Sequence, residues 1–200
     1  MITLAFDTVT PRASVALVDD GELLGEREAK ASTVLVAAAA LLEENRLEPG
    51  DLGRIVCGIG PGSFTGIRIG LATARGLALA LDLPLAGVST LAALEAGAPG
   101  ALPLIDGLRK EVFALVRGEP VVMRPERLPL ESGTVCVGDG AVRYRALLEA
   151  AGADIPPDSS ELHRVRARFH VSLARVFGPA DLIEPLYLRI PDAEKALGLS

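Results

Sequence analysis

The sequence predicts an α/β protein of two consecutive units, the second of which is a shortened version of the first. Strand and helix patterns alternate in the order β-β-β-α-β-α-β-α over residues 1–98. A weaker series of strands and helices follows a turn-rich segment near residue 98. Half of the 200 residues are apolar but only 4% are aromatic. The core must therefore consist of small aliphatic side chains, which suits helices packed closely on sheets.

The first unit, residues 1–98, carries turn and cap signals between its elements. Asp20-Gly21 is typical of a hairpin turn, and Ser32 can cap the first helix. The predicted elements are strands at 2–7, 13–19, 22–28, 54–59 and 84–88, and helices at 32–45, 65–81 and 89–97. This order is that of a ribonuclease-H-like domain, the repeating unit of the actin-like fold.

The second unit, residues 99–200, begins at the segment Ala98-Pro-Gly-Ala101. Its pattern predicts strands at 102–105, 111–117, 120–123 and 134–137, and helices at 142–151 and 166–177. The sequence thus predicts two ribonuclease-H-like lobes, the second shortened.

Charge and cysteine usage limit the possible functions. The net charge is −6 and the chain has three lysines, so it is not expected to bind tRNA or DNA alone. Cys57 and Cys136 lie in apolar runs, which indicates free thiols in a reducing cytosol. The longest apolar run, Val34–Leu42, has nine residues, against the roughly 20 that span a bilayer. With no signal-peptide pattern, we expect a cytoplasmic protein without a membrane segment.

A glycine-rich loop, Gly58–Gly70, joins a predicted strand to a predicted helix. Its spacing fits neither the GxGxxG fingerprint, nor a Walker A loop, nor a GxSxG nucleophile elbow. We expect a tight turn whose cap is one of the two hydroxyl residues. The residues of this predicted loop are Gly60, Pro61, Gly62, Ser63 and Thr65.

Two helices are predicted to form an interface. The helix at 32–45 is apolar on every side, and Gly66, Gly70 and Ala74 form a small-residue stripe on the next helix. Glycine within a helix costs up to about 1 kcal/mol, which close approach of another backbone can offset. A ligand contact is the alternative explanation. The predicted four-helix contact with a second subunit uses Leu35, Ala38, Leu42, Gly66, Ile67, Ile69, Gly70, Thr73, Ala74 and Leu77.

Four motifs carry a resemblance to a known family. They are GPGSFTGIRIG at 60–70, LAFDTVTPRASVALVDDGELL at 4–24, the ID…EVF pattern at 105–113, and PLYLR at 185–189. Together, and in this order, they resemble the TsaB (YeaZ) family.

The resemblance implies an actin-like fold and a role as partner of TsaD, a threonylcarbamoyl transferase that acts on the adenosine next to the anticodon of tRNAs reading A-starting codons. TsaE, an ATPase, would be the third component. ATP would be used by the partner subunits, with no cofactor bound by this chain itself. Isolated chains would form a homodimer in which TsaD can replace one copy, and tRNA would be contacted only indirectly.

The residues argue against catalysis by this chain alone. Actin-like ATPases hold phosphate with a D-x-G-T hairpin, whereas Asp7-Thr8-Val9-Thr10 has a branched residue in place of glycine. His163 and His170 are seven apart and lack the spacing of a metal helix, so we expect surface or satisfied core histidines. No catalytic, cofactor-binding or metal-ligating residue is predicted.

Asp106 and Glu111 could be considered an acid/base pair, but a turn aspartate and a strand-start glutamate are the simpler prediction. The family pattern resembled here carries alanine and arginine at the positions of Gly107 and Leu108. Arg109, the next residue, is a candidate to replace that arginine.

Two alternatives remain open at this stage. One is an actin-like-fold enzyme, a peptidase or a small-molecule kinase. The other is a stand-alone homodimeric scaffold.

Overall fold

The computed structural model describes residues 1–189, and the rest of the predicted second unit lies outside the described residues. The strands are β1 (Ile2–Asp7), β2 (Ala13–Asp19), β3 (Glu22–Ala29), β4 (Leu52–Gly58), β5 (Leu85–Val88), β6 (Leu102–Asp106), β7 (Val112–Val116), β8 (Glu119–Met123) and β9 (Cys136–Val137). The α-helices are α1 (Val34–Glu44), α2 (Phe64–Leu81), α3 (Thr90–Gly97), α4 (Asp139–Arg143), α5 (Arg145–Ala150) and α6 (Ala167–Leu173).

The first sheet has the strand order β3-β2-β1-β4-β5. Strands β1, β2 and β3 are antiparallel neighbours, whereas β4 and β5 run parallel to β1. The β2–β3 hairpin turns at Asp20 and Gly21, with φ of 45° and 95°. Such left-handed φ values at both central residues match the twist of the flanking strands.

The alternation of residues along β1 sends different side chains to the two faces of this sheet. Leu4 and Phe6 join the core cluster that α1 and α2 cover. Ala5 lies on the opposite face, in an alanine-rich cluster that includes Ala167 of α6. Small side chains on that face allow α6 to approach the sheet closely.

The second sheet has the order β8-β7-β6-β9, with β9 parallel to β6. It repeats the first four positions of the first sheet, which confirms the predicted actin-like fold with a shortened second lobe. Helix α3 lies between the lobes, where Leu91 and Leu94 pack with Ile105 and Phe113.

Several details differ from the sequence expectations. Ser32 lies within the 3-10 turn Ala31–Thr33 and does not cap the first helix, which begins at Val34. The helix predicted at 142–151 is two short helices, α4 and α5, and α6 ends at Leu173 rather than near 177. Helix α6 also packs on the first sheet, so the chain returns to the first lobe after building the second. A boundary at residue 98 therefore separates the two sheets along the chain but not all of the residues that cover them.

The glycines of α2 are explained by contact with the turn after β1. The Thr8 hydroxyl donates to the Gly66 carbonyl oxygen over 2.7 Å. A Cβ atom at Gly66 would overlap the Thr8 carbonyl oxygen, and one at Gly70 would overlap the Thr8 hydroxyl. Among the described residues, α2 alone is long and apolar enough to cross a membrane by length and composition. Its inner face is instead packed on the sheet of its own lobe.

A pair of glycine substitutions in α2 tests this packing. Gly66→Ala should lower the free energy of unfolding by about 1–3 kcal/mol, because the new methyl group meets backbone that cannot move aside cheaply. The matched control, Gly76→Ala, has no atom within 4 Å of the added carbon. It should raise stability by about 0.5–1 kcal/mol through helix propensity. Urea unfolding measures both changes, and equal effects would contradict the packing described.

Candidate functional site

The carboxylate of Asp7 lies at the end of β1 and is buried. Its Oδ1 accepts from the backbone N–H of Val9 over 2.7 Å, and its Oδ2 accepts from the Thr90 hydroxyl over 2.8 Å. The same Oδ2 lies 2.9 Å from Nε2 of His170. A Cβ atom at Gly58 would overlap this oxygen, so the neighbouring strand also closes over it. The aspartate is therefore enclosed by the protein rather than open to a ligand.

The two histidines are satisfied core residues that differ in their hydrogen bonding. In His170, Nε2 lies 2.9 Å from Asp7 and Nδ1 lies 3.4 Å from the Arg166 carbonyl oxygen. In His163, Nδ1 accepts from the Gly138 N–H over 3.1 Å, which makes Nε2 the donor to the Pro156 carbonyl oxygen. His170 thus joins α6 to the end of β1, whereas His163 connects two backbone groups within the second lobe.

The predicted glycine loop is a tight turn packed on the hairpin after β1. Gly60 and Pro61 are buried and joined by a cis peptide bond, while Ser63 and Thr65 are exposed. Ser63 caps α2, since its hydroxyl accepts from the Gly66 N–H, and its own N–H donates to the Val9 carbonyl oxygen. A Cβ atom at Gly62 would overlap the Val9 side chain. Val9 therefore fills the space beside the loop.

A cavity of about 630 Å³ lies between the glycine loop and the β6–β7 turn. The chain after α6 forms its third wall. This C-terminal strap, residues 178–189, pairs Gly178 with Leu85 of β5 and donates from Leu186 to the Ile59 carbonyl oxygen. Arg189 then reaches the second lobe, where it bonds the Gly107 carbonyl oxygen and Glu111. The strap thereby ties the two lobes together at the cavity.

Asp106 and Glu111 have separate ionic partners. Asp106 pairs with Arg143 over 2.9 Å and accepts from the Leu108 N–H, while Glu111 pairs with Arg189. This arrangement fits the predicted turn aspartate and strand-start glutamate. Arg143 of α4 and Arg189 of the C-terminal strap are thus the ionic partners at this turn.

The stripe on α2 faces inward, which corrects the prediction that it meets a second subunit. Gly66, Gly70 and Ala74 pack within their own lobe, because the turn after β1 requires the space that larger side chains would fill. Of the other predicted interface residues, Ala38, Leu42 and Ile67 are buried, Ile69, Thr73 and Leu77 are half-buried, and Leu35 is exposed. The outer face carries further apolar residues that the prediction omitted, Val36 and Leu79, with 69% and 83% exposure.

Both cysteines are buried free thiols. Burial raises the pKa of Cys57 to about 12 and that of Cys136 to about 11, so neither suits a nucleophilic thiolate. Within residues 1–189, no three histidine, cysteine or acidic side chains are grouped so as to hold a metal ion.

The sequence analysis missed two features of this region. One is the Asp7–His170 contact, because 163 residues separate the partners and no local pattern connects them. The other is Asp139, which lines the cavity and accepts from the Asp106 N–H over 2.9 Å. Its flanking glycines, Gly138 and Gly140, were an available signal, since both pack against the β6 backbone.

Two lobes of ribonuclease-H-like topology, closed around a shared cleft, define a member of the actin-like superfamily. The family model described as TsaD: tRNA N6-adenosine threonylcarbamoyltransferase matches residues 27–128, half of the chain. YeaZ from Pseudomonas aeruginosa has a similar structure, with a TM-score of 0.73 and 28% identity over 94% of this chain and 99% of that one. A second solved structure with the same values is described as having similarity to peptidase YEAZ.

Sequence relatives agree with the structural match. The tRNA threonylcarbamoyladenosine biosynthesis protein TsaB of Escherichia coli is 40% identical over 56% of this chain, and that of Bacillus subtilis is 34% identical over 60%. The chain spans about half the length of these two curated relatives, 53% and 52%. An uncharacterized protein of Mycobacterium tuberculosis is 33% identical over 96% of this chain and 93% of its own length. The chain belongs to the TsaB/YeaZ family.

A double-mutant cycle tests the buried pair at the end of β1. Asp7→Asn should lower the free energy of unfolding by about 3–5 kcal/mol, because His170 is left buried without its partner. Asp7→Asn combined with His170→Asn should cost less than the sum of the two single changes, with a coupling of about 1–3 kcal/mol. Asp19→Asn, an exposed carboxylate on β2, is the control and should change stability by less than about 1 kcal/mol. Strictly additive single effects would show that the contact contributes nothing.

Proposed function

We propose that the chain is a non-catalytic partner subunit in the threonylcarbamoylation of the adenosine next to the anticodon, in tRNAs that read A-starting codons. The observation that carries the non-catalytic part is the closed hairpin after β1. Asp7, which aligns with the phosphate-hairpin aspartate of actin-like ATPases, is bonded to Val9, Thr90 and His170. A carboxylate so enclosed has no path to a nucleotide or a metal ion. ATP would be used by the partner subunits.

The outer face of α1 and α2 supports a partner subunit. Leu35, Val36 and Leu79 are 50%, 69% and 83% exposed, on helices whose inner faces cover the sheet. Exposed apolar side chains grouped on one face commonly mark a protein contact. The proposed contact is therefore the outer face of the two helices, with Ile69, Thr73 and Leu77 at its half-buried edge.

A TsaD-like transferase is the partner proposed for this face. The TsaD family model matches residues 27–128, which include both α1 and α2. A TsaD-like protein therefore carries equivalent helices that could take the place of a second copy of this chain. The isolated chain would then form a two-fold homodimer that is exclusive with the TsaD-like complex, because both assemblies use the same surface.

The net charge and the names of the TsaB relatives support the remaining parts of the proposal. A chain of net charge −6 is poorly suited to hold tRNA, so the partner would bind it. A TsaE-like ATPase completes the proposed complex. The complex would act in the cytoplasm, where tRNA is modified.

A peptidase is the second candidate, since one similar structure is described by likeness to peptidase YEAZ. Peptidase chemistry needs a nucleophile beside a base, or a metal ion. In the part of the chain that the structure describes, His170 is committed to Asp7 and His163 to two backbone groups. The geometry therefore favours the partner subunit over a peptidase, and over a kinase that would need an open phosphate hairpin.

Two carboxylates introduced on the outer helix face test the proposed contact. Leu35→Glu combined with Leu79→Glu should convert the homodimer into a monomer of 20.8 kDa and abolish co-elution with a TsaD-like protein. A carboxylate buried without a partner in an apolar interface loses its hydration, and no interaction offsets that loss of free energy. Light scattering after size exclusion measures the mass. Val176→Glu, which is 82% exposed, is the matched control and should change neither result. A double variant that still dimerises and co-elutes would place the contact elsewhere.

Complementation tests the proposed function itself. In a bacterial strain depleted of its own TsaB, this chain should restore threonylcarbamoyladenosine in tRNA, measured by mass spectrometry of digested nucleosides. The purified chain alone should produce none, even with unmodified tRNA, ATP, threonine and bicarbonate present. Modified nucleoside formed by the chain alone, or its absence from the complemented strain together with a stable TsaD-like complex, would refute the proposal.

A further inference from the structure

The cavity between the lobes has the size and construction of a small-molecule site. Its volume of about 630 Å³ lies within the usual range of roughly 300–1,000 Å³. Four segments line it: the hairpin after β1, the glycine loop with the start of α2, the β6–β7 turn with the start of α4, and the C-terminal strap. Most of the lining is apolar, with a few polar groups at defined positions, which is the common composition of such sites.

One end of the cavity has an exposed aromatic wall. The rings of Phe64 and Tyr187 lie with centroids 5.2 Å apart and are 36% and 38% exposed. The guanidinium of Arg68 lies 3.8 Å from the Phe64 centroid and holds that ring from one side. Leu108, with 61% exposure, lines the same cavity from the second lobe. Three large apolar side chains from three segments are thus left partly open to solvent where a planar ring would cover them.

The β6–β7 turn is strained in a way that brings Leu108 to this position. Leu108, Arg109 and Lys110 have φ values of 58°, 52° and 63°, three consecutive left-handed residues without a glycine. Each costs roughly 1–2 kcal/mol. Hydrogen bonds from the Leu108 N–H to Asp106 and from Arg189 to the Gly107 carbonyl oxygen hold the turn. Strain that the surroundings maintain is found preferentially at ligand sites.

Asp139 provides a polar anchor in the second-lobe wall. It lines the cavity at the start of α4, and burial raises the pKa of its carboxyl group. Its Oδ1 accepts from the Asp106 N–H, and the carboxylate also accepts from the backbone of Gly140 and of Asp139 itself, which leaves about one of the roughly four acceptor positions of a carboxylate for a ligand. The neighbouring Asp106 is already paired with Arg143. A hydrogen-bond donor on a ligand would therefore gain most from Asp139.

The glycine loop argues against a phosphate-bearing ligand. The N–H of Ser63 donates to the Val9 carbonyl oxygen, and the Ser63 hydroxyl is occupied as the cap of α2. Val9 fills the space beside Gly62, and Asp7 is enclosed. The Ser63 and Gly66 N–H groups are thus used within the protein, and the Val9 side chain occupies space that a phosphate beside Gly62 would need.

From these contacts we propose that the cavity binds a small aromatic ligand that carries an amino group and no phosphate. The ring lies against Phe64, Tyr187 and Leu108, and the amino group donates to Asp139. This site is on the cleft between the lobes, not on the outer face of α1 and α2. Its test is therefore independent of the proposed partner function.

Calorimetric titration of the full chain with tyramine tests the proposal. Tyramine has an aromatic ring and an amino group, and 3-(4-hydroxyphenyl)propionate is its matched acid. Saturable binding of tyramine is expected, at least about tenfold tighter than that of the acid. Asp139→Asn keeps an acceptor for the Asp106 N–H and should weaken tyramine binding by about tenfold or more. Phe64→Ala should weaken both compounds, while Asp82→Asn, at the end of α2, should change neither.

Thermal unfolding of each variant shows whether it remains folded. If Asp139→Asn does not remain folded, Phe64→Ala supplies the second test. No saturation with tyramine up to about 10 mM would overturn the proposal. Equal affinity for the acid, or affinity unchanged in both cavity variants, would overturn it as well. If ATP displaced tyramine and bound more tightly than tyramine, the proposal would also be rejected, since the cavity would then prefer a phosphate-bearing ligand.

Discussion

The buried carboxylate of Asp7 is the contact on which the arrangement of the first lobe depends. It joins the end of β1 to the turn at Val9, to α3 through Thr90 and to α6 through His170. These elements are far apart in the chain, and a charge buried without partners would cost several kcal/mol. The aspartate therefore specifies where α3 and α6 must lie. Because α3 also packs against β6 and β7, the same contact sets the position of the second lobe relative to the first.

The next residue, Thr8, fixes the opposite face of the sheet in a similar way. Its hydroxyl donates to the Gly66 carbonyl oxygen, and the two glycines of α2 leave room for its backbone and side chain. Two consecutive residues at the end of β1 thus hold helices on both faces. The small residues of α2 serve this internal contact, which leaves the bulkier Leu79 on the outer face. Close packing inside the subunit and an apolar surface outside it come from the same helix.

Much of the fold could be predicted from the sequence because its signals are local. The Asp20-Gly21 turn, the Ser63 and Ser89 caps and the alternation along β1 each act within a few residues. The direction of the α2 stripe could not be predicted, since small residues suit an internal contact as well as an external one. The Asp7–His170 pair was also out of reach, because nothing near His170 indicates which of the buried acids it meets. Local sequence patterns determine where the helices and strands form, whereas contacts between distant segments determine which side chains meet at the site.

The hairpin after β1 is closed by the branched side chain at position 9. An aspartate that holds phosphate must stay open to solvent and flexible enough to admit a ligand. Here Val9 fills the space that glycine would leave, and the carboxylate of Asp7 contacts His170. The Arg189 strap then ties the second lobe to the first at the same cleft. The contact of Arg189 with Glu111 and the buried contact of Asp7 with His170 thus both hold together segments that are distant in the sequence.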